Sequence, residues 1–180
     1  MKHEMLLGAL LPITALVAPA YAADYLTVEQ AQRQFFPDAS QFVDSALNFD
    51  DDQRDAIKDH AGTRQRRDRQ QVWRAARDGE DLGWMFVDDV IGKHEFITYA
   101  LAVSPEGAVL GMEILSYRET HGGEVRQADW REQFDGKSLD DALRLGKDVS
   151  NISGATLSCR NVTDGVRRLL NIWDLYLKNA

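Results

Sequence analysis

Between Leu82 and Tyr117 the chain alternates with a period of two, and this constrains the fold more than anything else in it. Leu82 to Ile91 carries Trp84, Phe86, Val87 and Val90. Glu95 to Val103 sets Phe96, Thr98, Ala100 and Ala102 against Ile97, Tyr99, Leu101 and Val103. Ala108 to Tyr117 carries Val109, Leu110, Met112, Ile114 and Leu115, after a turn at Pro105-Glu106-Gly107. Alternation of this kind marks strands, and short turns between them give an antiparallel meander. One face of the middle strand is strongly apolar, so helices must cover it.

The cover is legible at the C-terminus. From Thr156 or Ser158 to Leu177, the residues Val162, Val166, Leu169, Leu170, Trp173 and Leu177 recur at three and four. They form one buried stripe of a long helix, with Arg160, Arg167, Arg168 and Lys178 off it. Further helices are expected earlier. Thr27 with Gln30 is a capping box, Val28, Ala31 and Phe35 share a face, and Pro37 ends the run. Asp50-Asp51-Asp52 opens a helix over Gln53 to Asp59, closed by Gly62. Ala39 to Phe49 fits helix or strand. Gln71 to Arg77 reads as a strand, followed by a turn at Asp78-Gly79. Asp129 to Phe134 reads as a short helix, and a second is expected from Ser138 to Gly146. The fold class is therefore α+β: an antiparallel meander covered by helices, ending in an amphipathic helix.

Residues 1–22 read as an export signal. Lys2 and His3 precede an apolar run from Met5 to Val17, and Ala20-Tyr21-Ala22 is a small-x-small cleavage site. Cleavage there leaves residues 23–180 as a single domain of net charge −8, because one Lys and one Glu depart together. That charge argues against a nucleic-acid surface. The arginines between Arg64 and Arg69 read as a solvated segment countered by Asp68. The single cysteine, Cys159, has no internal disulfide partner and reads as a buried thiol. Beyond the signal, His60, His94 and His121 lack ligand spacing, so no metal site is expected.

Unusual chemistry is concentrated in Ser153-Gly154-Ala155-Thr156-Leu157-Ser158, just before the long helix. A helix start presents unpaired N–H groups and a partial positive charge. Gly154 and Ala155 would let an anion approach the backbone, and Ser153, Thr156 and Ser158 offer hydroxyls. Two readings stay open on these grounds: a phosphate cradle or an ordinary Ser/Thr cap.

The Ser-Gly-Ala-Thr-x-Ser string resembles the motif of the FMN-binding domain family, which includes the flavin subunits of the sodium-pumping NADH:quinone reductase and of the Rnf electron-transport complex. Two upstream stretches resemble that family in the same order. Glu119-Thr120-His121-Gly122-Gly123 is similar to its Glu-Thr-Pro-Gly segment, and Phe134-Asp135-Gly136-Lys137 to its Phe-x-Gly-Lys turn. The likeness spans about residues 82–170. It implies FMN as cofactor, attached through its phosphate to Thr156 by a flavin transferase. It also implies a flavin site drawn from Ser153, Gly154, Ala155, Leu157, Ser158, Glu119, Thr120 and Gly122. The chain departs from the pattern twice: Ser150 stands six residues before Thr156 where the family has aspartate, with Asp148 two residues earlier, and His121 stands where it has proline.

The function these features imply is that of an exported, periplasmic electron carrier whose partner is a membrane redox protein. No acid–base pair is legible, so no catalytic residue is assigned. The alternatives are a periplasmic flavin-dependent reductase acting on a small acceptor, and a flavin-free interaction module, which Ser150 favours. Trp84, Trp130 and Tyr117 could stack on a flavin ring or simply belong to the core.

Overall fold

The computed structural model describes residues 23–119 and 121–179. The export-signal reading over residues 1–22, and Thr120, lie outside them. The strands are β1 (Ala23–Asp24), β2 (Gln41–Asp44), β3 (Leu47–Asn48), β4 (Arg69–Arg77), β5 (Glu80–Ile91), β6 (Phe96–Val103) and β7 (Val109–Tyr117). The α-helices are α1 (Val28–Phe35), α2 (Asp51–Ala61), α3 (Ala128–Arg131) and α4 (Thr156–Tyr176). The ambiguous stretch 39–49 resolves as the two short strands β2 and β3. Both early helices carry the expected signals. Thr27 and Asp50 cap reciprocally with Gln30 and Gln53, and Gly62 closes α2 in the left-handed conformation.

The sheet runs β1-β7-β6-β5-β4-β2 with β3 also beside β4, and every strand pairing is antiparallel. Helices cover both faces. On one, Ile97, Tyr99, Leu101 and Val103 pack with Val162, Val166, Leu169, Leu170 and Trp173 of α4 and Ile57 of α2. On the other, Ala100 and Ala102 meet Met85, Leu115, Ala31 and Phe36 around α1. The small residues at 100 and 102 let that second layer lie close. Among the described residues no helix is long and apolar enough to cross a membrane.

Two departures from strict alternation matter. Thr98 pairs with Ser116 while Tyr99 pairs with Ile114, so Leu115 is the extra residue of a β-bulge. Met112 and Ile114 face α4, and unbroken alternation would send Tyr117 to the opposite face. The bulge brings Tyr117 to the α4 face, among the main core residues. A polar inward position also occurs on β5. Asp88 falls in register with Trp84, Phe86 and Val90, and it is buried. Arg168, read from the sequence as lying off the buried stripe, is buried too and pairs with Asp88. The Tyr99 hydroxyl donates to the same carboxylate at 2.9 Å. Gly165 explains how: a Cβ there would collide with the Tyr99 hydroxyl, so glycine in mid-helix leaves the ring its passage.

The helix expected from Ser138 to Gly146 does not form; the segment is a run of turns. Local side-chain bonds compete with the helical ladder. Asp141 accepts from the Ser138 N–H at 3.0 Å, and the Ser138 hydroxyl accepts from the Asp140 N–H at 3.2 Å. Leu143 has a φ of 46°, and Asp148 takes the N–H groups of Leu143 and Arg144, each at 2.8 Å. Asp129 to Phe134 forms α3 plus a 3-10 turn over Glu132–Phe134.

Candidate functional site

The start of α4 is built on a tight turn. The Ala155 N–H donates to the Ile152 carbonyl at 3.0 Å, across Gly154 at φ 88°. Helix α4 then begins at Thr156 with Ala155 at the cap position and no side-chain cap. The ordinary Ser/Thr cap that the sequence left open is therefore not what Ser153 or Thr156 provides. Thr156 is exposed, and its Oγ1 accepts from Asn151 Nδ2 at 3.1 Å.

The two upstream motifs position this turn. Gly136 and Lys137 bond both backbone groups of Val109 at the head of β7, each at 2.8 Å. From there Lys137 Nζ reaches Asp148 at 3.6 Å. Trp130 Nε1 donates to the Ser150 carbonyl at 2.8 Å, and the Ser150 N–H donates to Gln133 Oε1 at 2.8 Å. Segment 143–150 is thus strapped to the meander before the chain turns into α4. Two forces act on the Asp148 carboxyl: burial pushes it up, but the Arg144 and Leu143 N–H groups and the Lys137 ammonium outweigh this and hold it low.

At the other motif, the Tyr117 hydroxyl donates to the His121 carbonyl at 2.5 Å and lies 3.2 Å from Ser158 Oγ. Burial pushes the Tyr117 phenol up, so it stays protonated as a donor at neutral pH. Gly122 is left-handed at φ 86°, and a Cβ there would stand 2.8 Å from the Tyr117 hydroxyl and 3.1 Å from Ser158 Oγ. Glycine is required on both counts. Glu119 folds back over Gly92 and accepts the N–H groups of His94 and Glu95, the latter at 2.9 Å. Burial pushes its carboxyl up, and the surrounding N–H groups more than offset that, leaving it below the ordinary glutamate value.

These pieces enclose a cleft of about 550 Å³ lined by Lys93, His94, Glu119, His121, Gly154, Ala155, Thr156, Leu157 and Ser158. Its size falls in the range of ~300–1,000 Å³ usual for small-molecule sites. A second cleft of about 650 Å³ adjoins it, sharing His121 and Gly154 and lined also by Gly122, Gly123, Glu124, Arg126 and Gln127. Of the residues that the sequence points to, Gly154, Ala155, Thr156, Leu157, Ser158 and Glu119 meet in the first cleft and Gly122 lines the second. Ser153 is exposed and lines neither. Lys93 and Asn151 lie outside every motif, and His94 reads in the sequence only as a metal-ligand candidate without partners. Their signal is weak: Gly92 to Glu95 is a polar tip between two strands, and nothing local says which helix it meets. Trp84 and Trp130 are buried core residues, as is Tyr117 apart from its hydroxyl. Cys159 is fully buried, and burial pushes its thiol up.

Residues 92–171 match the family model described as the FMN-binding domain. Over this segment the chain resembles the FMN-binding domain family. The match takes in the hairpin at Gly92, all of β7, both upstream motifs and most of α4, and the cofactor of that domain is FMN. Among relatives, the chain is 33% identical over 111 residues to a subunit of the ion-translocating oxidoreductase complex of Stutzerimonas stutzeri, covering 56% of this chain and 49% of that one. It is 33% identical over 104 residues to a subunit of the proton-translocating ferredoxin:NAD(+) oxidoreductase complex of Clostridium ljungdahlii, covering 53% of this chain and 56% of that one. The chain thus spans about half the length of these relatives. Two solved structures share the fold. NqrC of Shewanella oneidensis aligns with a TM-score of 0.51 at 20% identity, over 78% of this chain and 81% of the other. A subunit of the Na(+)-translocating NADH-quinone reductase of Parabacteroides distasonis aligns with a TM-score of 0.55 at 16% identity, over 83% of each chain.

Proposed function

We propose that this protein is an exported, periplasmic electron carrier in which residues 23–180 form one domain and Thr156 holds FMN through a phosphoester bond. The observation that carries this reading is the Thr156 hydroxyl. It is exposed at the start of a helix without a side-chain cap, in a cleft of about 550 Å³, within the matched segment. Bound FMN would supply the redox chemistry. The chain's own residues do the rest. The first N–H groups of α4 favour an anion, and Gly154 and Ala155 leave room for it. Asn151 orients Thr156 Oγ1. Tyr117 and Ser158 hold the Gly122 loop against α4. A membrane redox protein is the proposed electron partner, in keeping with the oxidoreductase complexes whose subunits this chain resembles, and a flavin transferase would attach the FMN.

The test is the intact mass of the protein produced with a flavin transferase. The expected mass is raised by one FMN less water, and Thr156→Ala lacks the addition. An addition that persists in Thr156→Ala would show that the attachment site is elsewhere. A second reading, FMN held without a covalent bond, draws support from Ser150. The nearby carboxylate, Asp148, does not replace the missing aspartate, because its oxygens bond the Leu143 and Arg144 N–H groups and face Lys137. An unmodified mass together with a bound yellow chromophore would favour that alternative.

A further inference from the structure

The turn joining β5 to β6 contains Gly92, Lys93, His94 and Glu95, and it is pinned from two sides. Glu119 occupies the space over Gly92 and takes the N–H groups of His94 and Glu95. From α4, Asn161 Nδ2 donates to the Ile91 carbonyl at 2.5 Å and approaches the Gly92 carbonyl at 3.4 Å. The helix that begins with Thr156 therefore also grips the turn that carries Lys93, and both residues line the same cleft. Lys93 is exposed, and among the described residues no carboxylate forms an ion pair with it. The one carboxylate lining the cleft, Glu119, is turned onto backbone N–H groups. Among the described residues Lys93 is thus the one lysine or arginine lining the cleft, and its charge is not taken up by an ion pair. The arginine of the adjoining cleft is committed differently, since the Arg126 guanidinium lies 3.3 Å over the Tyr25 ring.

We propose that Lys93 supplies the countercharge for the FMN phosphate at Thr156, and that Glu119 is the positioning residue that holds the Lys93 turn across the cleft. This rests on the FMN reading above and extends it to residues outside the Ser-Gly-Ala-Thr string. It implies a preference for phosphorylated flavin that depends on one side chain.

The experiment compares FMN with riboflavin, which has the same ring and no phosphate. Protein made without a flavin transferase is titrated into each by fluorescence quenching, at low and high salt. The wild type is expected to prefer FMN, with the preference falling as salt rises. Lys93→Gln should weaken FMN about tenfold while leaving riboflavin unchanged, and Lys93→Arg should restore FMN. Glu119→Ala should reduce the preference in the same direction, and Glu119→Gln, which keeps an acceptor oxygen, should reduce it less. A far-UV circular dichroism spectrum that matches the wild type shows that each variant is still folded. A wild type that binds both flavins equally, or a Lys93→Gln protein that keeps its preference, overturns the assignment of Lys93 and leaves FMN binding standing. A Glu119→Ala protein with full preference overturns the role of Glu119. A wild type that binds neither flavin also overturns the assignment of Lys93, while attachment at Thr156 is decided separately by the intact mass.

Discussion

Several side chains around the α4 start are fixed by one neighbour each, and Gly122 shows how narrow the tolerance is. Its φ of 86° strains any L-residue, and an added Cβ would also press on Tyr117 and Ser158. Gly136 has a similar φ of 73° but open space around it. The pair therefore separates strain from collision. Gly136→Ala is expected to lose about 1 kcal/mol of stability and keep its flavin affinity. Gly122→Ala is expected to lose roughly 1–3 kcal/mol and to bind FMN several-fold more weakly. Urea denaturation and flavin titration of the two variants check this. Equal effects would mean that the contact with Tyr117 and Ser158 does not shape the cleft.

Between elements, the tie that decides how α4 lies on the sheet is polar. Arg168 pairs with Asp88 of β5 inside the core and also donates to the Arg64 carbonyl at 3.2 Å. Arg167 reaches the Ala61 carbonyl at the end of α2 and the Leu143 carbonyl, each at 2.8 Å. Burial pushes the Asp88 carboxyl up while Arg168 and the Tyr99 hydroxyl pull it back. Taking away one partner leaves an uncompensated buried charge. Arg168→Met is therefore expected to cost about 3–5 kcal/mol, measured by urea denaturation. The double variant Arg168→Met with Asp88→Leu should recover most of that loss, because it removes both charges. A double variant as unstable as the single one would place the loss in packing rather than in the orphaned carboxylate.

For the molecule as a whole, the same carboxylate that positions the cleft also links it to pH. Glu119 is held below its ordinary value in the folded protein, so ionised Glu119 contributes stability above the usual glutamate range. That contribution is lost as pH falls through the lowered folded value. Asp148 acts with the same sign. Asp88, pushed up by burial, acts with the opposite sign and loses its contribution as pH rises. A comparison with Glu119→Gln isolates the one group. The stability gap between wild type and Glu119→Gln is expected to be largest near neutral pH and to close as the solution is acidified. Denaturant midpoints across that range test it, and a gap independent of pH would mean that the Glu119 charge contributes nothing.

Much of the fold is legible in the sequence because its signals are local. Reciprocal caps at Thr27 and Asp50, the turn at Asp78-Gly79, the period-two run from Leu82 and the stripe from Val162 to Leu177 each depend on residues near in sequence. Where local signals compete, legibility fails: the turns from Ser138 to Gly146 look helical until the carboxylates of Asp141 and Asp148 take the backbone N–H groups. Neighbouring residues alone specify an antiparallel meander and a C-terminal amphipathic helix, and the string at the junction with that helix resembles a flavin motif. What surrounds the motif is settled by packing across the whole chain. A one-residue bulge at Leu115 turns Tyr117 toward Ser158, and Glu119 and Asn161 together pull the Lys93 turn to the cleft. Those partners are 41, 24 and 70 residues apart. No local periodicity encodes a contact at that separation, because it exists only once sheet register and helix packing are set.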